Sequence, residues 1–328
     1  MRRLAGVLLM VLTLYAILVV SFPAARSAAS HVDLARRLGF YGVLTLGVGT
    51  LIIAGGIDLS IGALVGLSAV AFGMMIQGGI PAVYAALAVV VVAPLFGLFH
   101  GLMVTKLKLQ PFLVTLCGLF VYRGVARTLT PTAVGPRIDP YDLPEALRPQ
   151  AEALQAQATW LANLLVKGTP LGVPNILIVL LILAALMAVL LHRSVWGRYL
   201  YAVGSNEQAA RYAGINADGI KIFAYVLCSA FTGLGGVLYL LEYESATPST
   251  AGTLLELYAI TGAVLGGCSL RGGIGTVPGM LLGAAVLPLL NKLCNFTRWI
   301  GSEGEYIVIG TALLLGTVAN ELIARWKK

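Results

Sequence analysis

Residues 80–104 read Ile-Pro-Ala-Val-Tyr-Ala-Ala-Leu-Ala-Val-Val-Val-Val-Ala-Pro-Leu-Phe-Gly-Leu-Phe-His-Gly-Leu-Met-Val, without a single Asp, Glu, Lys or Arg. A helix of this length and apolarity crosses about 30 Å of hydrocarbon. Comparable runs recur at Leu4–Phe22, Val173–Leu191 and Ile307–Ile323. Over 328 residues the chain is 59% hydrophobic and 11% charged, with a mean hydropathy of +0.91. An ordinary soluble domain carries about 25% charged residues, so a soluble fold of this size could not hide so much apolar surface. With the bilayer as solvent, backbone polar groups must be satisfied internally. A membrane barrel shows alternation in segments of roughly ten residues, and these continuous runs do not. The fold class expected is all-α, a polytopic transmembrane helical bundle forming one domain over residues 1–328.

Hydropathy predicts about ten spans, near 4–22, 38–54, 61–77, 81–104, 111–129, 174–191, 221–241, 257–270, 274–292 and 306–323. With the N-terminus inside, Arg2, Arg3, Lys106, Lys108, Arg193, Arg198, Arg211, Lys221, Arg271, Arg325, Lys327 and Lys328 all fall on the inner side. That is the positive-inside pattern, and it puts both termini in the cytoplasm. Arg26, Arg36 and Arg37 resist the assignment: either they lie on a short interfacial helix outside, or the early topology differs. The formal charge of +8 therefore belongs to helix ends that anchor the chain against membrane lipid, not to a nucleic-acid surface. The first 22 residues are too long an apolar core for a signal peptide, and Phe22-Pro-Ala-Ala-Arg26 is a poor cleavage site, so they are read as a retained span.

The outer loop 130–173 has a different character. Leu147, Ala151, Leu154, Ala158, Leu161 and Leu165 recur at spacings of three and four, one apolar helical face. Such a helix lies on the membrane surface or packs over the span ends. Small-xxx-small spacings at Gly62/Gly66, Gly97/Gly101, Gly262/Gly266 and Gly275/Gly279/Gly283 predict close helix contacts. Cys117, Cys228, Cys268 and Cys294 form no CxxC pair, and His31, His100 and His192 lie in three separate segments with no HExxH. These residues read as packed side chains, with no metal site, catalytic cluster or cofactor expected. No GxxxxGK[ST] loop occurs, so any ATP is bound by another chain.

Two stretches carry more chemistry. In the inner loop 192–220, Gly204-Ser-Asn-Glu-Gln-Ala-Ala-Arg-Tyr-Ala-Gly214 places Ser205 and Gln208 at capping-box spacing, with Gly214 suited to a helix C′ position. The helix of about two turns between them is marginal alone and needs a partner surface or the membrane. In Ala54-Gly-Gly-Ile-Asp-Leu-Ser-Ile-Gly62, glycines flank Asp58 between two apolar runs, the place for a broken helix. A carboxylate deep in a membrane costs about 2.5–3.5 kcal/mol on insertion scales. Either Asp58 or Ser60 caps the following helix, or both form a polar element beside a translocation path. Ala54–Ser60 has a faint echo in Leu265-Gly-Gly-Cys-Ser-Leu-Arg271. Arg123 either snorkels to the interface or lines a vestibule and bonds solute hydroxyls; Glu242 and Glu244 are solvated end charges or docking contacts for a soluble partner.

Gln208-Ala-Ala-x-x-x-Gly214 resembles the EAA loop of ABC-transporter permeases, with Gln208 replacing the first Glu. GGIDLSIG at 55–62, Gln110-Pro-Phe-Leu-Val-Thr-Leu with Tyr122-Arg-Gly124, Gly197–Glu207 and Gly266–Gly279 resemble, in order, the signatures of the ribose-type sugar permeases (ribose, xylose and galactofuranose importers). The resemblance implies a bacterial inner-membrane importer of monosaccharides, with loop 130–173 periplasmic. It implies that Asn206, Glu207, Gln208, Ala209, Ala210, Arg211 and Gly214 couple to an ATP-binding cassette subunit. It also implies a second permease subunit and a periplasmic sugar-binding protein. On that reading Asp58, Ser60 and Arg123 line the path, and Glu242 and Glu244 meet the binding protein. The expected mechanism is alternating access; the rival is a secondary, ion-coupled sugar carrier, for which Asp58 would be the coupling carboxylate.

Overall fold

The computed structural model describes residues 2–297 apart from 142 and 144, together with 304, 307, 310, 311 and 314. The apolar runs form helices α1 (Arg2–Ser21), α2 (Ala28–Ile53), α3 (Ile61–Gln77), α4 (Ala82–Thr105) and α5 (Pro111–Leu129). The outer loop carries α6 (Ala151–Ala162), followed by α7 (Asn175–Arg193), α8 (Val195–Ser205) and α9 (Glu207–Tyr212). The chain continues through α10 (Ala217–Tyr243), α11 (Leu255–Leu265) and α12 (Val277–Phe296). Among the described residues, seven helices are long and apolar enough to cross a membrane: α1, α2, α4, α5, α7, α10 and α12. Helices α3 and α11 are shorter and apolar. Each of the first nine expected spans overlaps one of these nine helices, seven of which are, among the described residues, long enough to cross a membrane alone. The expected span 306–323 lies mostly outside the described residues.

Helices α2, α3 and α10 form the centre. Apolar windows of α2 and α10 are 78% and 72% buried, against 6% for α1, which therefore sits at the rim. Close approach is set by small residues, as the spacings predict. Gly97 and Gly101 of α4 press on the Tyr225 and Ile222 backbone of α10, and Gly283 and Gly279 of α12 press on Gly262 and Gly266 of α11. Helix α6 turns Ala151, Leu154, Ala158 and Leu161 inward, so its apolar face packs over the span ends rather than on lipid. Arg26, Arg36 and Arg37 gather near that end, where Arg36 donates to the Lys167 carbonyl at 3.2 Å and Arg37 pairs with Asp33 at 3.3 Å. The three basic residues that resisted the charge rule thus find carbonyl or carboxylate partners, with Arg26 on the Val19 carbonyl at 2.8 Å.

The echo in sequence has a counterpart in backbone geometry. Helix α2 ends with Gly55 at φ +80, its N–H bonded to Ile52 O at 2.9 Å and that of Gly56 to Leu51 O at 3.0 Å. Helix α11 ends with Gly267 at φ +92, its N–H bonded to Val264 O and that of Cys268 to Ala263 O, both at 2.9 Å. Both are Schellman closures, which need a left-handed residue that only glycine adopts without penalty.

The broken element is most pronounced elsewhere. Helix α11 has eleven residues, about 16 Å at 1.5 Å each, roughly half of a hydrocarbon crossing. The chain between α10 and α11 folds back to reach its start. Ala246 pairs with Val134 through two backbone bonds of 2.8 and 3.1 Å, and Ala251 is buried against Gly66 of α3.

Candidate functional site

Asp58 is 1% exposed and lies in the irregular stretch between α2 and α3. Its Oδ1 accepts from the Ser60 N–H at 2.7 Å and the Ser60 hydroxyl at 2.6 Å. Ser60 occupies the α3 N-cap position, but its side chain caps nothing in the helix; the hydroxyl turns back to Asp58. The capping expectation is therefore corrected: Asp58 holds the turn before the helix, and neither side chain caps α3. The second carboxylate oxygen sits 3.5 Å from His100 Nδ1 on α4. His100 is fully buried, and its Nε2 lies 2.8 Å from the Tyr122 hydroxyl of α5. Tyr225 of α10 donates to the Ile57 carbonyl at 3.2 Å. Four elements thus meet at one buried polar centre. Sequence reading treated His100 as a packed histidine, because its partners are 42 and 22 positions away and no local spacing marks them.

Arg123 is half-buried and donates through Nη1 to the Ala251 carbonyl of the folded-back segment. Nearby, Glu256 in the first turn of α11 is 8% exposed, and its carboxylate lies against the Gly62 backbone at the start of α3. Arg123 and Glu256 thus meet α3 one turn apart, at Gly66 and Gly62. Glu256 escaped the sequence reading because an isolated Glu within an apolar stretch has no signature.

At the opposite end, α9 forms as the loop predicts, with one correction. Its N-cap is Asn206, whose Oδ1 accepts the Ala209 N–H at 3.0 Å; Ser205 closes α8 instead. Gly214 at φ +80 ends it in a Schellman closure, with Gly214 N–H to Arg211 O and Ile215 N–H to Ala210 O at 3.0 Å each. Ala210 is buried and anchors the helix, whereas Gln208, Ala209 and Arg211 are exposed and Glu207 partly so. Tyr212, not singled out from sequence, is 91% exposed. Glu207 pairs with Arg211 at 2.9 Å and with Lys221; Arg211 also pairs with Asp218, which pairs with Lys106 at 3.0 Å. Burial alone would raise the Glu207 carboxyl, but hydrogen bonds from Lys221 and Arg211 outweigh it and hold it below the usual glutamate range. The acid missing at Gln208 is thus present one residue earlier, committed to its own chain.

Helix α8 is the mount for α9. Gly273 N–H bonds the Ile53 carbonyl at 2.8 Å, Tyr201 of α8 donates to the Gly275 carbonyl at 2.8 Å, and Gly204 lies against both Ile53 and Gly273. The end of α2, the loop after α11 and α8 therefore share one junction.

Glu244 pairs with Lys167, which holds its carboxyl below the ordinary range. Glu242 is partly buried, and among the described residues its Oε2 finds no hydrogen-bond partner. Glu244 is thus an exposed end charge as expected, whereas Glu242 is drawn partly inward. Among the described residues the four cysteines form no disulfide, and Cys117 alone is exposed. No group of three metal-binding side chains occurs among the described residues.

The profile of the family described as "Branched-chain amino acid transport system / permease component" matches residues 30–317. The chain is 33% identical over 281 residues to the ribose import permease protein of Escherichia coli (strain K12), covering 85% of this chain and 81% of that one. It is 31% identical over 292 residues to the ribose import permease protein of Bacillus subtilis (strain 168), covering 88% and 83%. It is 34% identical over 274 residues to an autoinducer 2 import system permease protein of Yersinia enterocolitica, covering 83% and 69%. No solved structure matches the chain. A bundle of this kind with these relatives is a multi-pass membrane permease, a transport subunit. The chain belongs to the family that the profile describes, and within it to the ribose-type sugar ABC permeases.

Proposed function

We propose that this chain is the transmembrane subunit of an ATP-driven monosaccharide importer in the bacterial inner membrane, with both termini cytoplasmic. A second permease subunit completes the channel, an ATP-binding cassette subunit hydrolyses ATP, and a periplasmic binding protein delivers the sugar. The observation that carries this reading is α9. It is a two-turn helix capped at both ends, its Glu207 and Arg211 tied to Lys221 and to the Asp218–Lys106 pair, with Gln208, Ala209 and Tyr212 left facing out. A helix so short is stable only where neighbours hold it, and such bracing leaves its free face fixed for a partner. Nucleotide state in the ATPase then biases inward- and outward-facing arrangements through its different contacts with α9.

Affinity purification from gently solubilised membranes tests the reading, comparing wild type with Ala209→Arg plus Tyr212→Ala. Both changed side chains are exposed, so the fold should survive. An ATP-binding subunit that accompanies the wild type and is lost from the variant supports coupling through α9. If no ATPase accompanies the wild type in several mild detergents, an ion-coupled carrier becomes the better reading, with Asp58 as its carboxylate.

A further inference from the structure

Arg123, a path candidate by sequence, has a neighbour in Glu256 that nothing described so far uses. Each is held against backbone rather than against an opposite charge. Arg123 donates to the Ala251 carbonyl, and the Glu256 carboxylate lies against the Gly62 backbone. Together these contacts fasten the folded-back segment and the start of α11 onto α3. The fastening is close: a methyl group built on Gly62 would collide with the Glu256 carboxylate and the Gly252 carbonyl, and one on Gly66 with the Ala251 carbonyl. The charged pairs at the two ends of the bundle, Lys106 with Asp218 and Lys292 with Asp33, bind each other directly. Here a guanidinium and a carboxylate inside the bundle are instead met by neutral backbone groups.

We propose that Arg123 and Glu256 are the polar pair the solute engages inside the bundle, releasing their backbone partners to take up solute hydroxyls. This rests on the sugar reading given above. A carboxylate only accepts hydrogen bonds and a guanidinium only donates them, whereas a hydroxyl does both. A polyhydroxylated solute can therefore donate to Glu256 and replace the Ala251 carbonyl on Arg123 at once, leaving neither charge unpaired. The pair sums to no net charge, which suits a neutral cargo. Releasing the two contacts also frees the 244–254 segment from α3, so binding and opening are one event. Glu256 and Arg123 thereby discriminate among sugars by hydroxyl position, after the binding protein has made its own selection.

The test uses cells carrying the whole transporter. It measures uptake of ribose, xylose and galactose, of single-deoxy analogues of whichever sugar is carried, and of leucine. Uptake is read at saturating solute, so that affinity of the binding protein does not enter. The wild type should carry a sugar and lose about tenfold in maximal rate on deletion of one particular hydroxyl, the loss expected of one hydrogen bond to a charged group. Glu256→Gln should lower the maximal rate and shrink that discrimination severalfold, with the half-saturating concentration little changed; Arg123→Lys should do so for a different hydroxyl. Glu256→Asp should restore part of the discrimination, which a purely structural role would not do. Equal discrimination in wild type and variants overturns the inference and leaves the sugar reading standing, as does a wild type indifferent to every deoxygenation. A wild type that carries leucine and no sugar overturns both.

Discussion

The Asp58 carboxylate and the His100 imidazole stand 3.5 Å apart, 1% and 0% exposed, on two segments that share no local sequence relationship. Asp58 Oδ1 is fully used by Ser60, so the 3.5 Å approach joins the turn before α3 to α4 through a long contact. Among the described residues His100 Nδ1 has no hydrogen bond, while Nε2 is held by Tyr122. Asp58→Asn retains an oxygen for Ser60 and puts an amide toward His100, so it should change stability little. Asp58→Ala strands the Ser60 N–H and should cost about 1–3 kcal/mol. Thermal unfolding in detergent checks both. Uptake abolished by Asp58→Asn, with an ATPase still bound, would instead favour the ion-coupled rival.

Tyr122→Phe removes the single hydroxyl bonded to His100 Nε2 and leaves a buried ring nitrogen without it. A loss of about 1–3 kcal/mol is expected, with the T-shaped contact of ring 122 on Phe96 at 4.9 Å kept. An unchanged unfolding midpoint would mean that water reaches the imidazole and that the centre is less closed than the geometry indicates.

Gly204 packs its backbone on the Ile53 carbonyl and the Gly273 N–H, where no side chain fits. Gly204→Ala should therefore push α8 away from the ends of α2 and α11, at about 1–3 kcal/mol of overpacking. Because this junction joins α9 to the bundle, ATP hydrolysis should also become uncoupled from transport. Measured ATP consumed per sugar imported should rise in the variant.

Tyr212 separates stability from association. At 91% exposure its replacement by Ala should shift stability by no more than about 0.5 kcal/mol. If α9 seats in a partner groove, the same change should weaken association by about 2 kcal/mol, roughly thirtyfold, as expected of a central aromatic anchor. Titration of the solubilised permease with the ATPase subunit, followed by fluorescence, reads this directly.

The Glu207 network carries a pH signature. Its carboxyl titrates below its unfolded value, so its contribution to stability is present above about pH 4.3 and is lost as pH falls through the lowered native value. Protection factors for the amides of α9, corrected for intrinsic exchange, should be flat from pH 6 to 8 and decline below that carboxylate range. Lys221→Met removes the ammonium hydrogen bond to Glu207 and should move the decline to higher pH.

The sequence by itself determined the class and the ends. Composition and run length required a helical bundle in lipid, because backbone polar groups have no other partner there. The glycine spacings correctly marked where backbones touch, and Gly214 marked where α9 stops, because one residue's conformational freedom decides each. Even the faint echo at 54–60 and 265–271 held as paired Schellman closures. Local pattern also misled where a neighbour competed: Asn206 rather than Ser205 caps α9, since Ser205 is drawn into the end of α8. Only the tertiary structure decided the interior. That His100 meets Asp58, that Glu256 reaches Gly62 and that the 244–254 segment folds back onto α3 depend on contacts between residues far apart in the chain. Lone polar side chains in apolar runs leave no periodic trace, and in a membrane protein it is packing against neighbouring helices that decides which of them become partners.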